Sequence, residues 1–351
     1  MPPRSPGPRP DDLPVGLVWP ERVDRRGRVG PTRAQARGSR WRRCSQGLYV
    51  PASTEQSPEQ RIVEAAAVLP VYGAVTGWAA LRWHGGRWFD GRAAGGSIER
   101  PVVLVLMDSS IRTRPGIAVS EERVGPEQIV VASGVRVTTA AYALLWEIRH
   151  SHSLGEAVCA ADMAAFSDLV SRLELALLVA ACRGWTGIGR GREVVGLMSE
   201  NSWSPAETAM RGVWVRDAAL PTPLCNQPVF DLGGRLIGTP DLLDPAAGVA
   251  GEYDSELHLE SGRRRRDVER ESSFRAAGLE PVAMVSGELA DPWRFVGRLR
   301  AAYARAARKP VSDRRWTIDP PAWWSPTVTV DQRRALTDEQ RARWLRYRTA
   351  G

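Results

Sequence analysis

Lysine is almost missing from this chain: of 48 basic residues only Lys309 is a lysine, and the rest are arginine. A GC-rich genome alone produces such a bias, but it has a chemical consequence. No lysine lies near the acidic residues of the C-terminal third, so chemistry there that calls for an amine must find a substitute. Cysteine is also scarce. Cys44, Cys159, Cys182 and Cys225 are scattered without paired spacing, which argues against a zinc site or a disulfide framework and for a reducing cytoplasm. No apolar run is long enough for a membrane span. The stretch Met1 to Asp12 is rich in Pro and Arg and has no apolar core, so it does not read as a signal peptide.

What is present points to a polyanion. The net charge is +8 and the isoelectric point near 9.9, a balance that favours association with nucleic acid without speaking to the fold. With 351 residues the chain is long enough for two or three domains. We read residues 1–13 as a disordered arm and 14–52 as a basic, winged-helix-like segment. Nine arginines fall between Arg22 and Arg43. Within that stretch Pro31 to Arg37 reads as a short helix, and Trp41 to Pro51 as a hairpin that would form the wing. Arg33, Arg37, Arg40, Arg42 and Arg43 are then the expected DNA contacts, with a basic solvated surface as the plainer alternative.

Residues 53–198 read as a mixed α/β middle domain. Ser57, Pro58 and Gln60 supply an N-cap, a first-turn proline and a capping-box position for one helix, and Val75 to His84 reads as a second. Strands are expected at 102–106, 117–119, 129–131 and 135–137, a helix from Thr138 to about Ile148, and two more over 154–183. Residues 199–308 read as a compact α/β unit. Ser204-Pro205-Ala206-Glu207 opens a helix. Strands at 227–232 and 235–243 join through Gly233-Gly234, and a strand at 249–256 completes a meander. A helix over 263–277 ends at Gly278, followed by a strand at 281–285 and a helix to about Arg308. Residues 309–351 form a linker rich in Pro and Trp and a basic helix, Asp331 to Arg348, that Thr337 and Gln340 are expected to break. Its tryptophans are expected to pack on the body of the protein.

The chemistry-bearing residues lie in that third part. Pro240-Asp241 is followed eleven residues after the aspartate by Glu252-Tyr253-Asp254, and then by His258. Carboxylates on neighbouring strands are what a hard divalent cation such as Mg²⁺ or Mn²⁺ requires, with waters and phosphate completing its shell. Asp241 and Glu252 are the expected metal ligands. Asp254 shares a sheet face with Glu252 by strand periodicity, and His258 titrates in the range of a general acid or base. Arg263, Arg264, Arg266 and Arg270 are candidates to hold a DNA strand. Each also has a structural reading: Asp241 as a turn former, Glu252 and Asp254 on a solvated face, Glu207 in a capping box, His258 as a loop residue, the arginines as a charged helix face. A guanidinium seated among the acids would leave only a binder.

Several words of the sequence, in order, resemble a family of actinobacterial proteins. In the first part they are Arg42 to Pro51, Val75 to Gly85 and Gly134 to Thr139. In the second they are Ser204 to Glu207, Asn226 to Val229, Pro240-Asp241, Gly251 to Ser255, His258, Arg266 to Arg270 and Ala277-Gly278. That family joins an AbiEi-like antitoxin or transcriptional-regulator region to a C-terminal Vsr-like, PD-(D/E)XK-type endonuclease fold, a central sheet flanked by helices. The resemblance implies DNA as partner, a cognate toxin as a possible second one, and Asp241, Glu252, Asp254, His258 and Glu207 as catalytic residues. Two departures stand out: Asp254 occupies the position of the pattern's lysine, which Vsr-like relatives also lack, and Ser255 stands where many relatives have glycine.

Overall fold

The computed structural model describes residues 12–93, 96, 99–106, 111–254 and 261–348, with backbone alone over 261–268. The protein is mixed α and β throughout. It divides into two units: one comprises the chain up to His150 with Leu177–Ile188, the other Ser151–Ala176 with the chain from Gly189.

In the first unit β1 (Glu21–Arg22), β2 (Trp41–Ser45) and β3 (Leu48–Pro51) form a small antiparallel sheet in the order β1-β3-β2. The hairpin is where the sequence places it. The helix expected over 31–37 is a single 3-10 turn, Gln35–Arg37, with no side-chain cap. Among the described residues up to Pro51 there is no α-helix.

Helix α1 (Pro58–Ala66) starts where Ser57 Oγ accepts the Gln60 amide. Gln60 does not complete a capping box; its side chain reaches across to the backbone of Val18 instead. The segment from Val75 departs from expectation. Ala74–Thr76 is a strand, β4, and only Gly77–Trp83 is helical, α2. Strand β4 is central in a five-stranded sheet of order β6-β5-β4-β8-β7, with β5 (Val102–Val105), β6 (Ile117–Ser120), β7 (Ile129–Ala132) and β8 (Val135–Thr138). Every residue of β4 and β5 is buried, so neither strand alternates.

Helix α3 (Ala140–His150) explains Gly77. Glu147 on α3 receives the Trp78 amide at 2.8 Å, capping α2, and also takes Arg100 at 2.7 Å. Gly77 has φ of +65°, and a Cβ there would stand 2.7 Å from Glu147 Oε1 and 2.9 Å from the Trp146 ring. Gly77→Ala is therefore expected to cost about 2–4 kcal/mol, combining left-handed strain with overpacking. Urea denaturation followed by tryptophan fluorescence checks this.

The second unit holds α4 (Leu154–Phe166), the first part of α5 (Arg172–Ala181) and most of α6 (Ile188–Leu197), which the sequence did not announce. Then come α7 (Pro205–Gly212), which continues as a π-helical turn over Val213–Asp217, and β9 (Leu224–Cys225). The expected meander is split between two sheets. Strands β10 (Val229–Asp231) and β11 (Leu236–Gly238) pair with each other and, further on, with β15 (Trp316–Thr317) in the order β11-β10-β15. The four-stranded sheet, order β14-β13-β12-β9, takes β12 (Leu242–Asp244), β13 (Val249–Asp254) and β14 (Glu280–Val285), the last parallel to β13.

Residues on β12 and β13 alternate between two cores. Leu242 and Val249 pack with Met210 and Trp214 and with Phe295 and Leu299 of α9 (Trp293–Ala306). Leu243 and Ala250 pack with Phe274 of α8 (Ser261–Ala277) and with Trp316. The sheet thus carries helices on both faces. Gly251 lies under α7: a Cβ there would meet Met210 Cε at 2.6 Å and Trp214 Cζ3 at 2.8 Å.

The tail folds back as two short helices, α10 (Val330–Arg334) and α11 (Asp338–Trp344). They separate where Thr337 and Gln340 make a reciprocal capping box. Arg333 is fully buried. It donates to Asp168 and to the carbonyls of Ala165, Glu200 and Thr327, so the planar guanidinium fork satisfies α4's end and the tail together. Trp316 enters the core, and Trp323, Trp324 and Trp344 cluster on Phe230 with ring centroids 4.7–6.2 Å apart. The expectation that the tail's tryptophans pack on the body holds.

Candidate functional site

The site is built where the start of α7, the end of β9 and the entry to β12 meet. Helix α7 begins because Ser204 caps it and Pro205 presets its first turn. Ser204 Oγ accepts the Glu207 amide at 3.2 Å and donates to Glu207 Oε1 at 3.0 Å. Glu207 Oε2 accepts the Trp203 amide at 2.7 Å and the Asn226 side-chain amide at 2.6 Å. The capping reading of Glu207 is thus realised, yet the carboxyl is 7% exposed and all these partners are neutral.

Asn226 closes the site from the sheet side. Its backbone is left-handed, φ +45°, a conformation Asn tolerates better than most residues. Its amide N–H donates to the Asp241 carbonyl at 2.9 Å. Nδ2 donates both to Glu207 and to the Asn201 carbonyl, and Asn201 returns the contact by donating to the carbonyls of Cys225 and Asn226. Asn226 is 1% exposed, and its Oδ1 accepts no hydrogen bond.

Asp241 sits one step before β12. The register pairs Leu242 with Gly251 and Leu243 with Ala250, so its next step sets Asp241 opposite Glu252, as the antiparallel reading requires. Asp241 Oδ2 accepts the Tyr253 amide at 2.7 Å. Burial first, and the nearby Asp241 charge second, push the Glu207 carboxyl up to about 8, against the opposing hydrogen bonds from Trp203, Asn226 and Ser204. Two carboxyl groups therefore feel each other in a buried place.

Glu252 has a different neighbour. Arg270, on α8, holds its carboxylate in an ion pair of 2.5 Å. Asp254 is exposed at the end of β13, two residues on. His258 and the side chains of Arg263, Arg264 and Arg266 lie outside the described residues. Among the described residues no group of three or more His, Cys, Asp or Glu side chains is gathered as a metal cage. Asn226 is an oxygen donor of another kind, and its unsatisfied buried carbonyl beside Glu207 fits a hard cation.

Arg211, one turn along α7 from Glu207, is committed elsewhere. It pairs with the fully buried Asp162 of α4 at 2.7 Å. Asp162 also accepts the Thr208 hydroxyl and the Ser199 amide, each at 2.7 Å. Sequence reading missed this pair and the Asn226 bridge, because neither partner is local. Asn226 belonged to a recognised word of the sequence, and that word assigned it no role.

In the basic segment, Arg33, Arg37, Arg40 and Arg43 are exposed. Arg42 is not available in the same way: its two terminal nitrogens grip Glu64 of α1 at 2.6 and 3.0 Å. Arg42 thus ties the hairpin to the body.

The chain is similar to uncharacterized proteins of Mycobacterium tuberculosis, from strain CDC 1551 / Oshkosh and from strain ATCC 25618 / H37Rv. Each is 29% identical over 209 residues, covering 59% of this chain and 74% of the relative. No family model matches the chain, and no solved structure matches it significantly.

Proposed function

We propose that the second unit is a Vsr-like, divalent-cation-dependent phosphodiester hydrolase acting on DNA, with Mg²⁺ or Mn²⁺ held chiefly by Asp241. The observation that carries this reading is the buried meeting of Glu207 and Asp241, with the orphaned Asn226 carbonyl beside them. Two carboxyl groups pressed together without a cation carry repulsion that a structural role does not need. A bound cation would polarise the scissile phosphate and lower the pKa of a water. The chain's own residues do the rest. Asp241 is oriented by the Tyr253 amide, Glu207 is fixed by the cap of α7, and Glu252 stands across the strand pair from Asp241. Arg270 holds Glu252 until phosphate, a stronger bidentate partner, offers itself. The exposed arginines of the basic segment supply salt-sensitive phosphate contacts. Without an α-helix in that segment, the hairpin and the turn before it would meet the duplex, so a winged-helix reading rests on the wing.

Plasmid and mismatched duplexes incubated with Mg²⁺ or Mn²⁺ test the proposal. Cleavage by the wild-type chain is expected to fall at least a hundredfold in Asp241→Ala, on the order expected for losing a group that holds the metal in the transition state. Wild type and variant equally inert with every divalent ion would remove the catalytic reading.

The Arg270–Glu252 ion pair favours a second reading: a non-enzymatic, AbiEi-like antitoxin or repressor whose nuclease-like unit binds DNA or a cognate toxin without cutting. It calls for promoter binding that Asp241→Ala leaves intact and that weakens when Arg40 and Arg43 are replaced.

A further inference from the structure

We propose that Asn226 is itself an oxygen ligand of the cation site, its Oδ1 completing a seat with Asp241 and Glu207. The inference rests on the cation reading above and assigns a residue that the acidic pattern alone does not contain.

The argument is one of acceptors. Asn226 is almost wholly buried, and its carbonyl oxygen accepts nothing. Leaving a buried acceptor unsatisfied costs roughly 1–3 kcal/mol. The amide cannot simply be turned over: Nδ2 already serves two acceptors, Glu207 Oε2 and the Asn201 carbonyl. That double contact fixes where Oδ1 lies, on the same carbon and beside the Glu207 carboxyl. The backbone of residue 226 is meanwhile bonded to that of Asp241. The outcome is three oxygen-bearing side chains in one buried place, all acceptors when the acids are ionised. A water has two hydrogens to offer and would leave one acceptor wanting. A hard cation serves all three, and mixed carboxylate and amide carbonyl ligation is ordinary for it. The left-handed backbone at Asn226 turns β9 sharply at this point. Strain of that kind, held by the reciprocal Asn201 contacts, is consistent with a preorganised ligand.

The test is Mn²⁺ binding to the full chain, without DNA, by electron paramagnetic resonance of the free ion. Three proteins are compared: wild type, Asn226→Gly and Asn226→Asp. Glycine suits the left-handed backbone and removes both amide atoms. Aspartate keeps Oδ1 and removes the donor. A ligand role requires Asn226→Gly to bind at least tenfold more weakly and Asn226→Asp to bind as tightly as wild type or tighter. If both variants weaken alike, the residue acts through its NH₂ on Glu207 and the assignment is overturned. If the glycine variant binds as wild type does, it is overturned also, while the cation reading stands. No Mn²⁺ bound to wild type removes the cation reading and this one with it. Should Asn226→Gly fail to fold, the Mn²⁺-induced rise in melting temperature decides. A rise in Asn226→Asp equal to or above that of wild type supports ligation, and a smaller one overturns it.

Discussion

Asp162→Ala is expected to lower the stability of the second unit by about 3–5 kcal/mol, the range for breaking a buried ion pair from one side. Arg211, 4% exposed, would keep its charge with no carboxylate to meet it. The Thr208 hydroxyl and the Ser199 amide would lose their acceptor at the same time. Burial pushes the Asp162 carboxyl up, and Arg211, Ser199 and Thr208 pull it back down, so the pair stands or falls together. Replacing both charges by apolar side chains, Asp162→Leu with Arg211→Met, is expected to recover most of the loss, because desolvation then costs nothing. Urea denaturation read by tryptophan fluorescence measures this, with the two units fitted as separate transitions where the curves demand it. A single variant within about 1 kcal/mol of wild type, with no recovery in the double, would show that the pair carries little. Functionally, this pair sits one helical turn below Glu207, so the site is braced by a network with no role in chemistry.

What could be read from the sequence was local. Ser204, Pro205 and Glu207 announce the start of α7 because capping is settled within four residues. Gly233-Gly234 announces the turn between β10 and β11 for the same reason. Val135 to Val137 reads correctly as a strand; its partner β7 joins it through Ser133-Gly134, both left-handed, as a tight hairpin requires. Failure began where a residue's state depends on distant chain. Ala74-Val75-Thr76 merges by composition into the helix after it, and only pairing with β5 and β8 makes it a strand. The segment from Arg235 to Leu243 is one apolar run by eye, yet Leu236 pairs with Phe230 while Leu242 pairs with Gly251 and Cys225. The candidate site shows the same division. Asp241 opposite Glu252 follows from strand register and was legible. Asp162 meeting Arg211, 49 residues on, and Arg270 meeting Glu252 from a helix were not, because tertiary packing alone brings them together.

Stability should also fall with rising pH, through Glu207. Its folded carboxyl is raised to about 8 from an ordinary 4.5, by burial first and by Asp241 second. Below pH 4.5 both folded and unfolded chains hold this proton. Between about 4.5 and 8 the folded chain holds it and the unfolded chain has released it, so each step up in pH favours unfolding. The loss is complete once the pH passes about 8, and its size is on the order of 3 kcal/mol, shared with Asp241 because the two groups interact. Glu207→Gln removes the titration while keeping an oxygen that can accept the Trp203 and Asn226 amides. Denaturation midpoints taken from pH 5 to 9 in EDTA, wild type minus variant, isolate this group from every other titrating residue. The difference should turn against wild type as pH rises and level off above about 8. A difference that stays flat across the range would mean that Glu207 is ionised throughout. Its neutral donors would then outweigh burial and the neighbouring carboxylate, and the repulsion on which the cation reading depends would be absent.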